Sequence, residues 1–147
     1  MKKFRYSMES ILKIKLKLEE QAKLAYANAR NHLNAEEEKL KYLRDKKTSY
    51  EEEQRILSSN KLNIMKLKGI SQSIDIMKLK IEEQKVVVEA AKQRLELARI
   101  RLNEAMVERK TQEKLKEKAW QEYMEEFEAE EQKEIDELNS FNYGSAI

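Results

Sequence analysis

The sequence predicts an all-α fold, a long antiparallel two-helix coiled-coil hairpin. Of its 147 residues 39% are charged, the mean hydropathy is −0.87, and there are two glycines and no proline, a profile typical of long helices rather than of a globular core. Apolar residues recur at alternating spacings of three and four, which keeps them on one face only if the helix supercoils around another. Two such segments flank a short interruption, and helices joined in this way fold back on each other.

The first helix is predicted over residues 8–58. Ser7 can cap its N terminus, and Glu9 then lies near the positive end of the helix dipole. The apolar ladder along this helix shifts by one position between Ala25 and Leu33. Its apolar members are Met8, Ile11, Leu12, Leu18, Ala22, Ala25, Ala29, Leu33, Leu40, Leu43, Tyr50 and Leu57. Polar residues dilute the ladder at Lys15, Glu36, Lys47 and Gln54.

A connection over residues 59–69 and a second helix over residues 70–138 are predicted next. Ser58-Ser59-Asn60 is one stop signal and Gly69 is another. The ladder of the second helix has eleven positions, ten of them apolar: Ile70, Ile74, Met77, Ile81, Gln84, Val88, Ala91, Leu95, Ala98, Leu102 and Ala105. Residues 139–147 are predicted to be a frayed tail, and the whole chain to be one coiled-coil domain.

The predicted pairing of the two helices leaves the second one longer. If the bend centres near residue 64, contacting residues have numbers that sum to about 128, as in an antiparallel pair of equal rise. Residues 121–138 then extend beyond the first helix, and Phe4 and Tyr6 are available to cover part of that stretch. The same geometry pairs Leu33 with Leu95.

Charge is unevenly distributed along the chain. Residues 1–69 contain 17 Lys and Arg against 10 Asp and Glu, whereas residues 70–147 contain 13 against 18. A basic first helix beside an acidic second one explains this better than nucleic-acid binding, which needs a concentrated basic surface. No apolar run approaches the roughly 20 residues of a membrane span, and Lys13 and Lys15 interrupt any signal-peptide core. We expect a cytosolic protein with no nucleic-acid partner and no direct membrane insertion.

The residue types offer little for catalysis or for binding a cofactor. His32 is the only histidine, and there is no cysteine and no glycine-rich phosphate loop. The runs Glu36-Glu37-Glu38 and Glu51-Glu52-Glu53 lie on helices, where consecutive side chains point about 100° apart and cannot close on one ion. His32 lies near the predicted ladder shift and is expected to be a polar register or edge residue rather than a ligand or a catalytic base. The chain is therefore predicted to be no enzyme, with no cofactor and no metal.

Trp120, Tyr123 and Phe127 form one face of the second helix, because they lie three and four residues apart. Two interpretations stay open for this face. It packs within the open end of the hairpin, or it is a docking surface, since exposed aromatic side chains rimmed by charge commonly anchor protein partners.

Two sets of residues carry a family resemblance that covers nearly the whole chain. The first opens it: Phe4-Arg5-Tyr6-Ser7-Met8-Glu9-Ser10-Ile11-Leu12, followed by Glu19-Glu20 and Ala22. The second comprises Leu102, Ala105, Glu108-Arg109-Lys110, Leu115-Lys116-Glu117-Lys118, Glu130, Glu134, Asp136 and Glu137. In their order and spacing these residues resemble the family of the flagellar export protein FliJ.

The resemblance implies a component of the flagellar type III protein export apparatus, similar to the central stalk of rotary ATP synthases. It implies flagellum biogenesis, motility and chemotaxis as the setting, and a position in the cytoplasm, peripheral at the inner face of the cell membrane. Three partners are implied: the hexameric export ATPase, whose assembly and activity the stalk promotes, the cytosolic domain of the export gate, and export chaperones.

Carried onto this sequence, the resemblance assigns residues to two of those partners. The ATPase-facing residues are Phe4, Tyr6, Met8, Ile11, Leu12, Trp120, Tyr123 and Phe127. The gate-facing residues are Leu43, Tyr50, Met77 and Gln84. Lys46 and Lys80 depart from the apolar or aromatic types expected on that stretch. Leu43, Tyr50 and Met77 also fit the ladder between the helices, so both roles remain open for them.

Three other functions compete with this one. The chain could be a generic structural coiled-coil scaffold, the equivalent stalk of a virulence type III secretion system, or a nucleic-acid binder. A monomeric hairpin fits a stalk, and a parallel dimer of extended helices fits a scaffold. A mobility shift at physiological salt tests the third alternative.

Overall fold

The computed structural model describes residues 2–59 and 64–145 and contains two long helices. Helix α1 spans Glu9–Ser59 and helix α2 spans Ile64–Ser145. The helices pack against each other, and the described ranges contain no strand. The predicted all-α helical hairpin is confirmed.

Helix α1 packs on α2 through one face, and this face together with its counterpart on α2 is here called the seam. On α1 the seam runs without a shift. Every third or fourth residue from Leu12 to Leu57 is buried or half-buried. Glu19 and Tyr26 occupy seam positions, whereas Leu18 and Ala25 are exposed. The predicted shift near Ala25 was therefore wrong. The apolar pattern alone favoured Leu18 over Glu19, whose charge is compensated by a residue of the other helix.

The seam of α2 agrees with the predicted ladder. All eleven of its positions are buried or half-buried. The seam continues with the same spacing beyond the predicted ladder, at Arg109, Gln112, Lys116, Ala119 and Tyr123. The ladder predicted from Ile70 to Ala105 is thus confirmed, and its extension is mostly polar.

The bounds of α2 differ from the prediction at both ends. The helix begins at Ile64, inside the predicted connection, of which residues 60–63 lie outside the described residues. Gly69 does not stop the helix, and the Ser73 hydroxyl donates a hydrogen bond of 3.1 Å to its carbonyl, so that this serine is compatible with helix. The helix also continues to Ser145, through most of the predicted tail, because no proline interrupts it.

Contacts between residues divide the chain into two compact units. Unit 1 contains the residues up to Gln21 and those from Asn103 onward, and unit 2 contains Ala22–Leu102. Unit 2 has an apolar core formed by Leu33, Leu40, Ile81, Val88 and Ala91, against which Leu43 and Leu95 pack. The predicted proximity of Leu33 and Leu95 agrees with this cluster. That the whole chain forms one coiled-coil domain stays a prediction.

Polar pairs across the two helices give the register within each unit. In unit 1, Glu19 pairs with Arg109 and Lys15 with Glu108. In unit 2, Gln84 donates to the Glu36 carboxylate. The numbers in these pairs sum to 128, 123 and 120 respectively. The predicted sum of about 128 is thus reached by one pair, and the other two fall below it by 5 and 8.

Candidate protein-binding sites

Unit 1 contains a cluster of four aromatic rings, here called the aromatic cluster: Phe4, Trp120, Tyr123 and Phe127. The rings of Phe4 and Trp120 form a T-shaped pair with 5.0 Å between centroids, and the ring of Phe4 lies 5.3 Å from that of Tyr123. Trp120 stacks on Tyr123 at 5.7 Å, and Phe127 follows at 6.3 Å from Tyr123. These separations are those of favourable aromatic pairs. The prediction that Phe4 covers part of residues 121–138 is confirmed.

Hydrogen bonds fix the N-terminal segment that delivers Phe4 to the cluster. The Tyr123 hydroxyl donates to the Lys2 carbonyl at 2.8 Å, and the Tyr6 hydroxyl donates to Gln112 Oε1 at 3.1 Å. The Tyr6 hydroxyl is therefore held on α2 before residue 121, and Tyr6 also lines a groove with Tyr123 and Glu126, on the stretch that it was expected to cover. The segment precedes α1, whose Glu9 amide donates to the Tyr6 carbonyl at 3.1 Å.

The residues expected to face the ATPase all lie in unit 1 but differ in their access to solvent. Trp120 is 46% exposed and Ile11 is exposed, whereas Leu12 is buried. The remaining five are half-buried: Phe4, Tyr6, Met8, Tyr123 and Phe127. A shallow groove of about 420 Å³ runs between Phe4, Leu12 and Trp120 and is bordered by Glu113, Lys116 and Glu117. The packing interpretation of the aromatic face is supported by the ring contacts, and its role as a docking surface stays a prediction.

A buried charge lies in the seam of unit 1. Glu19 is 4% exposed and receives two hydrogen bonds from the Arg109 guanidinium, which also donates to Glu113 at 2.9 Å. The carboxylates of Glu19 and Glu113 raise the pKa of Arg109 above its ordinary value. A buried ion pair of this kind contributes little net stability, but it disfavours registers that would leave one charge unpaired. The sequence did not predict Glu19 as a seam residue, because its partner Arg109 lies 90 positions away along the chain.

The residues expected to face the export gate lie in the seam of unit 2. Met77 is buried, and Leu43 and Tyr50 are half-buried. Gln84 donates to the Glu36 carbonyl at 3.0 Å and to the Glu36 carboxylate at 2.6 Å. That hydrogen bond, followed by the effect of Lys39, lowers the pKa of Glu36 below its ordinary value. These four residues hold the helices together and leave a partner little of their surface.

A second apolar ladder of unit 2, here called the outer ladder, faces away from the seam. It comprises Ile76, Leu79, Val86, Leu97 and Ile100, all exposed. With Glu83, Ala90 and Gln93 it repeats at alternating spacings of three and four, offset by two residues from the seam, which places it on the opposite side of the helix. This second repeat was not predicted from the sequence. An exposed apolar face of this length is typical of a protein-binding surface.

His32 is exposed and directly precedes the seam residue Leu33, so of its two expected roles the structure favours an edge residue over a register residue. In the parts of the chain that the structure describes, no three or more acidic or histidine side chains are placed to hold a metal ion. Neither described helix has a stretch long and apolar enough to cross a membrane.

One protein-family model, described as "Flagellar FliJ protein", matches residues 4–146 of the chain. This chain belongs to the FliJ family. The membership confirms the resemblance carried by the opening segment and by the residues after Leu102. No curated protein matches the chain. Membership supports a coarse role for this FliJ-family chain as a stalk-like, structural component of type III protein export.

A solved structure has the same fold as this FliJ-family chain. It is described as a candidate YscO homologue from Chlamydia trachomatis, and its TM-score is 0.76. The two sequences are 24% identical, and the alignment covers 96% of each chain. At this level of identity the likeness concerns the fold alone.

Proposed function

We propose that this FliJ-family chain is a non-enzymatic stalk of the flagellar type III export apparatus. It binds the hexameric export ATPase, promotes the assembly and activity of that ring, and contacts the cytosolic domain of the export gate and export chaperones. Through these partners it resides in the cytoplasm at the inner face of the cell membrane and serves flagellum biogenesis, motility and chemotaxis. The observation that carries the proposal is the match to the FliJ family over residues 4–146.

The aromatic cluster supports the proposal that the ATPase binds to unit 1, near the N-terminal segment of the chain. Trp120 combines partial exposure with tight contacts to Phe4 and Tyr123, so it is already held in one conformation. A partner that covers it gains aromatic burial at a small entropic cost, which is how anchor residues dominate binding energies. Residues 119–147 contain nine acidic residues and one lysine, so the matching surface on the ATPase is basic.

The outer ladder supports binding of the gate or of a chaperone by unit 2. The four gate-facing residues implied by the resemblance are engaged in the seam, whereas Ile76, Leu79 and Val86 on the same stretch of α2 are exposed. We therefore extend the proposed gate contact to the outer ladder. A partner helix or strand with apolar side chains fits this face, because its exposed residues recur once per helical turn.

A stalk of this kind acts by contacting the subunits of a ring unequally. A single chain cannot present the same surface to six subunits at once, so it stabilises one subunit conformation relative to another by its differential contacts. No catalytic group is needed on the stalk for this effect.

Two variants and two partners test the proposal together. Trp120→Ala is expected to weaken binding to the cognate export ATPase by about 30-fold, the effect of losing roughly 2 kcal/mol at an anchor residue, while leaving gate binding unchanged. Val86→Asp is expected to weaken binding to the cytosolic gate domain while leaving ATPase binding unchanged. Leu97→Ala is the matched control for Trp120→Ala, because both residues are 46% exposed. Equal effects of Trp120→Ala and Leu97→Ala on ATPase binding would contradict the proposed site.

The stalk of a virulence type III secretion system is a second candidate function. The observation that favours it is the fold shared with the candidate YscO homologue. Binding assays against a flagellar and a non-flagellar export ATPase from the same cell distinguish the two roles. Preference for the non-flagellar ATPase would replace the first proposal by the second.

A further inference from the structure

The outer ladder of unit 2 follows the heptad repeat of a coiled coil. Its eight positions over residues 76–100 alternate between spacings of three and four, and six of them are apolar. All eight side chains are exposed, so a second helix is needed to bury this repeat. In heptad nomenclature the a positions are Ile76, Glu83, Ala90 and Leu97, and the d positions are Leu79, Val86, Gln93 and Ile100.

Two rows of exposed charge border the outer ladder, one acidic and one basic. The residue before each a position, at heptad position g, is acidic in all four repeats. The residue after each d position, at heptad position e, is basic in three of the four. The acidic row is Asp75, Glu82, Glu89 and Glu96, and the basic row is Lys80, Arg94 and Arg101, with Val87 in place of a fourth charge.

Most of these charges are available to a partner. Within the described part of the chain, only Glu82 and Glu96 among the seven form ion pairs, each with a residue of its own helix. Any helix that covers the outer ladder therefore meets an acidic border on one side and a basic border on the other.

The two rows complement each other when two copies of α2 lie parallel and in register. In a parallel coiled coil, the g residue of one helix meets the e residue five positions later on the other helix. Opposite charges then meet three times on each side of the interface, as Asp75 with Lys80, Glu89 with Arg94, and Glu96 with Arg101. The fourth meeting pairs Glu82 with Val87, so no pair of rows brings like charges together.

An antiparallel arrangement of the same two faces has the opposite effect. There g residues meet g residues, and e residues meet e residues. With the apolar positions matched, Glu82 meets Glu96 of the second copy, and Lys80 meets Arg94 of the second copy. Because like charges across an interface repel each other, the two rows favour the parallel arrangement.

We propose that the outer ladder is the interface of a parallel, in-register homodimer. The two-fold axis runs along the two α2 helices, so that each ladder position faces its own counterpart and both copies use the same surface, as an isologous contact requires. The seam lies on the opposite side of α2, and α1 therefore does not come between the two copies.

Two polar ladder positions keep this dimer weak. Glu83 faces Glu83 of the second copy at an a position, where the like charges oppose association, whereas Gln93 can form a hydrogen bond with its counterpart. The dimer therefore dissociates on dilution. On the proposed function, the gate or a chaperone covers the same face, so the dimer and that complex exclude each other, whereas the dimer itself does not depend on that function.

Single cysteines test the orientation and the register, since the natural chain has none. Leu79→Cys and Leu97→Cys chains are treated with a short bismaleimide, each alone and then as an equimolar mixture. In the parallel dimer each variant cross-links to itself, and residue 79 does not cross-link to residue 97, because these positions lie about 27 Å apart along the helix axis. An antiparallel pair gives the reverse result, with cross-links in the mixture only.

Leu24→Cys is the matched control for these cross-links. Leu24 belongs to the same unit and is 66% exposed, against 63% for Leu79, but it lies on α1. Leu24→Cys should therefore give only the background of random collisions. Self-cross-links of Leu79→Cys and Leu97→Cys at that background level, or cross-links in the mixture only, would overturn the proposal.

Sedimentation of the purified chain without any partner tests the charges. The mass of the parent should rise with concentration from 17.5 kDa towards twice that value. Glu89→Arg and Arg94→Glu should each raise the dissociation constant of the dimer about tenfold. The double variant that carries both changes should return to the parent value, because it inverts both charges of one pair. Glu83→Gln should lower the dissociation constant, because it removes the like charges at the a position.

Two results of the sedimentation experiment would overturn the dimer. One is a double variant that dimerises no better than the single variants, although circular dichroism shows all of them to be as helical as the parent. The other is a parent chain that keeps a mass of 17.5 kDa at every concentration, which would leave the outer ladder to partners other than a second copy.

Discussion

Replacing Ile81 by alanine tests the seam of unit 2, and replacing Ile76 by alanine provides a matched control. Both residues are isoleucines of α2 in the same unit, but Ile81 is 7% exposed and Ile76 is 53% exposed. Ile81 belongs to the apolar core of unit 2, and Ile76 belongs to the outer ladder. The two substitutions remove the same atoms, so the difference between them measures burial.

The expected magnitudes follow from the exposed fractions. Each substitution removes three carbon atoms, worth about 0.8 kcal/mol apiece when buried. Scaled by burial, the loss is about 2.2 kcal/mol at Ile81 and about 1.1 kcal/mol at Ile76. The higher helix propensity of alanine offsets about 0.4 kcal/mol of this loss at both sites. The net destabilisation is therefore about 1.8 kcal/mol for Ile81→Ala and about 0.7 kcal/mol for Ile76→Ala. A seam between two helices is open at its sides, so little cavity energy adds to these values.

Urea denaturation followed by circular dichroism measures this difference. With a denaturant slope of about 2 kcal/mol per molar urea, the midpoint of Ile81→Ala should lie about 0.5 M below that of Ile76→Ala. Equal midpoints, or a larger loss for Ile76→Ala, would refute the assignment of the two faces of α2.

Three further predictions concern the seam and the charges. Ala98→Asp should destabilise the hairpin by about 2 kcal/mol or more, because it places a charge in the apolar seam. Glu96→Gln, which alters only an exposed ion pair with Arg99, should leave the urea midpoint unchanged; similar midpoints for both would contradict the seam. The hydrogen bond from Gln84 lowers the pKa of Glu36 in the folded chain. The ionised Glu36 therefore stabilises the fold above its unfolded-state pKa, and this stabilisation is lost as the pH falls through the lower folded-state pKa. The melting temperature of the parent should therefore drop more below about pH 4.5 than that of Glu36→Gln, and parallel curves would contradict this. ATPase binding should weaken at high salt through the acidic residues after Ala119, so salt-insensitive binding would refute the electrostatic part of the interface.

The fold could be predicted from the sequence because its determinants are local and periodic. The ladder from Ile70 to Ala105 fixes the buried face of α2 without reference to any partner. The contact of Phe4 with the aromatic side of α2 could likewise be predicted, since the length of α1 and the approximate register of the two helices are readable from the sequence.

Predictions from the sequence were wrong or incomplete where a long-range partner or a second repeat decides the structure. Periodicity assigns Leu18 to the seam, and only the contact of Glu19 with Arg109 explains why the charged residue is buried instead. Gly69 was interpreted as a stop, although a glycine costs a helix only about 1 kcal/mol and the burial of Ile70 favours continuing it. The outer ladder was missed because the stronger seam repeat lies in the same segment.

The partner assignments could not be derived from the residues at all. Leu43 and Met77 have the same apolar character whether they pack on the other helix or on a gate protein. The structure places both in the seam, and their role towards a partner stays a prediction. The outer ladder differs from Leu43 and Met77 in the exposure of its side chains, which periodicity does not give.

The measurement that tests the central claim most directly is the ATP hydrolysis rate of the cognate export ATPase, with and without this chain, taken together with the oligomer size of the ATPase. The stalk proposal predicts a higher rate and more hexamer with the parent chain, and a smaller rise with Trp120→Ala. Unchanged rate and unchanged oligomer size at saturating amounts of the chain would contradict it.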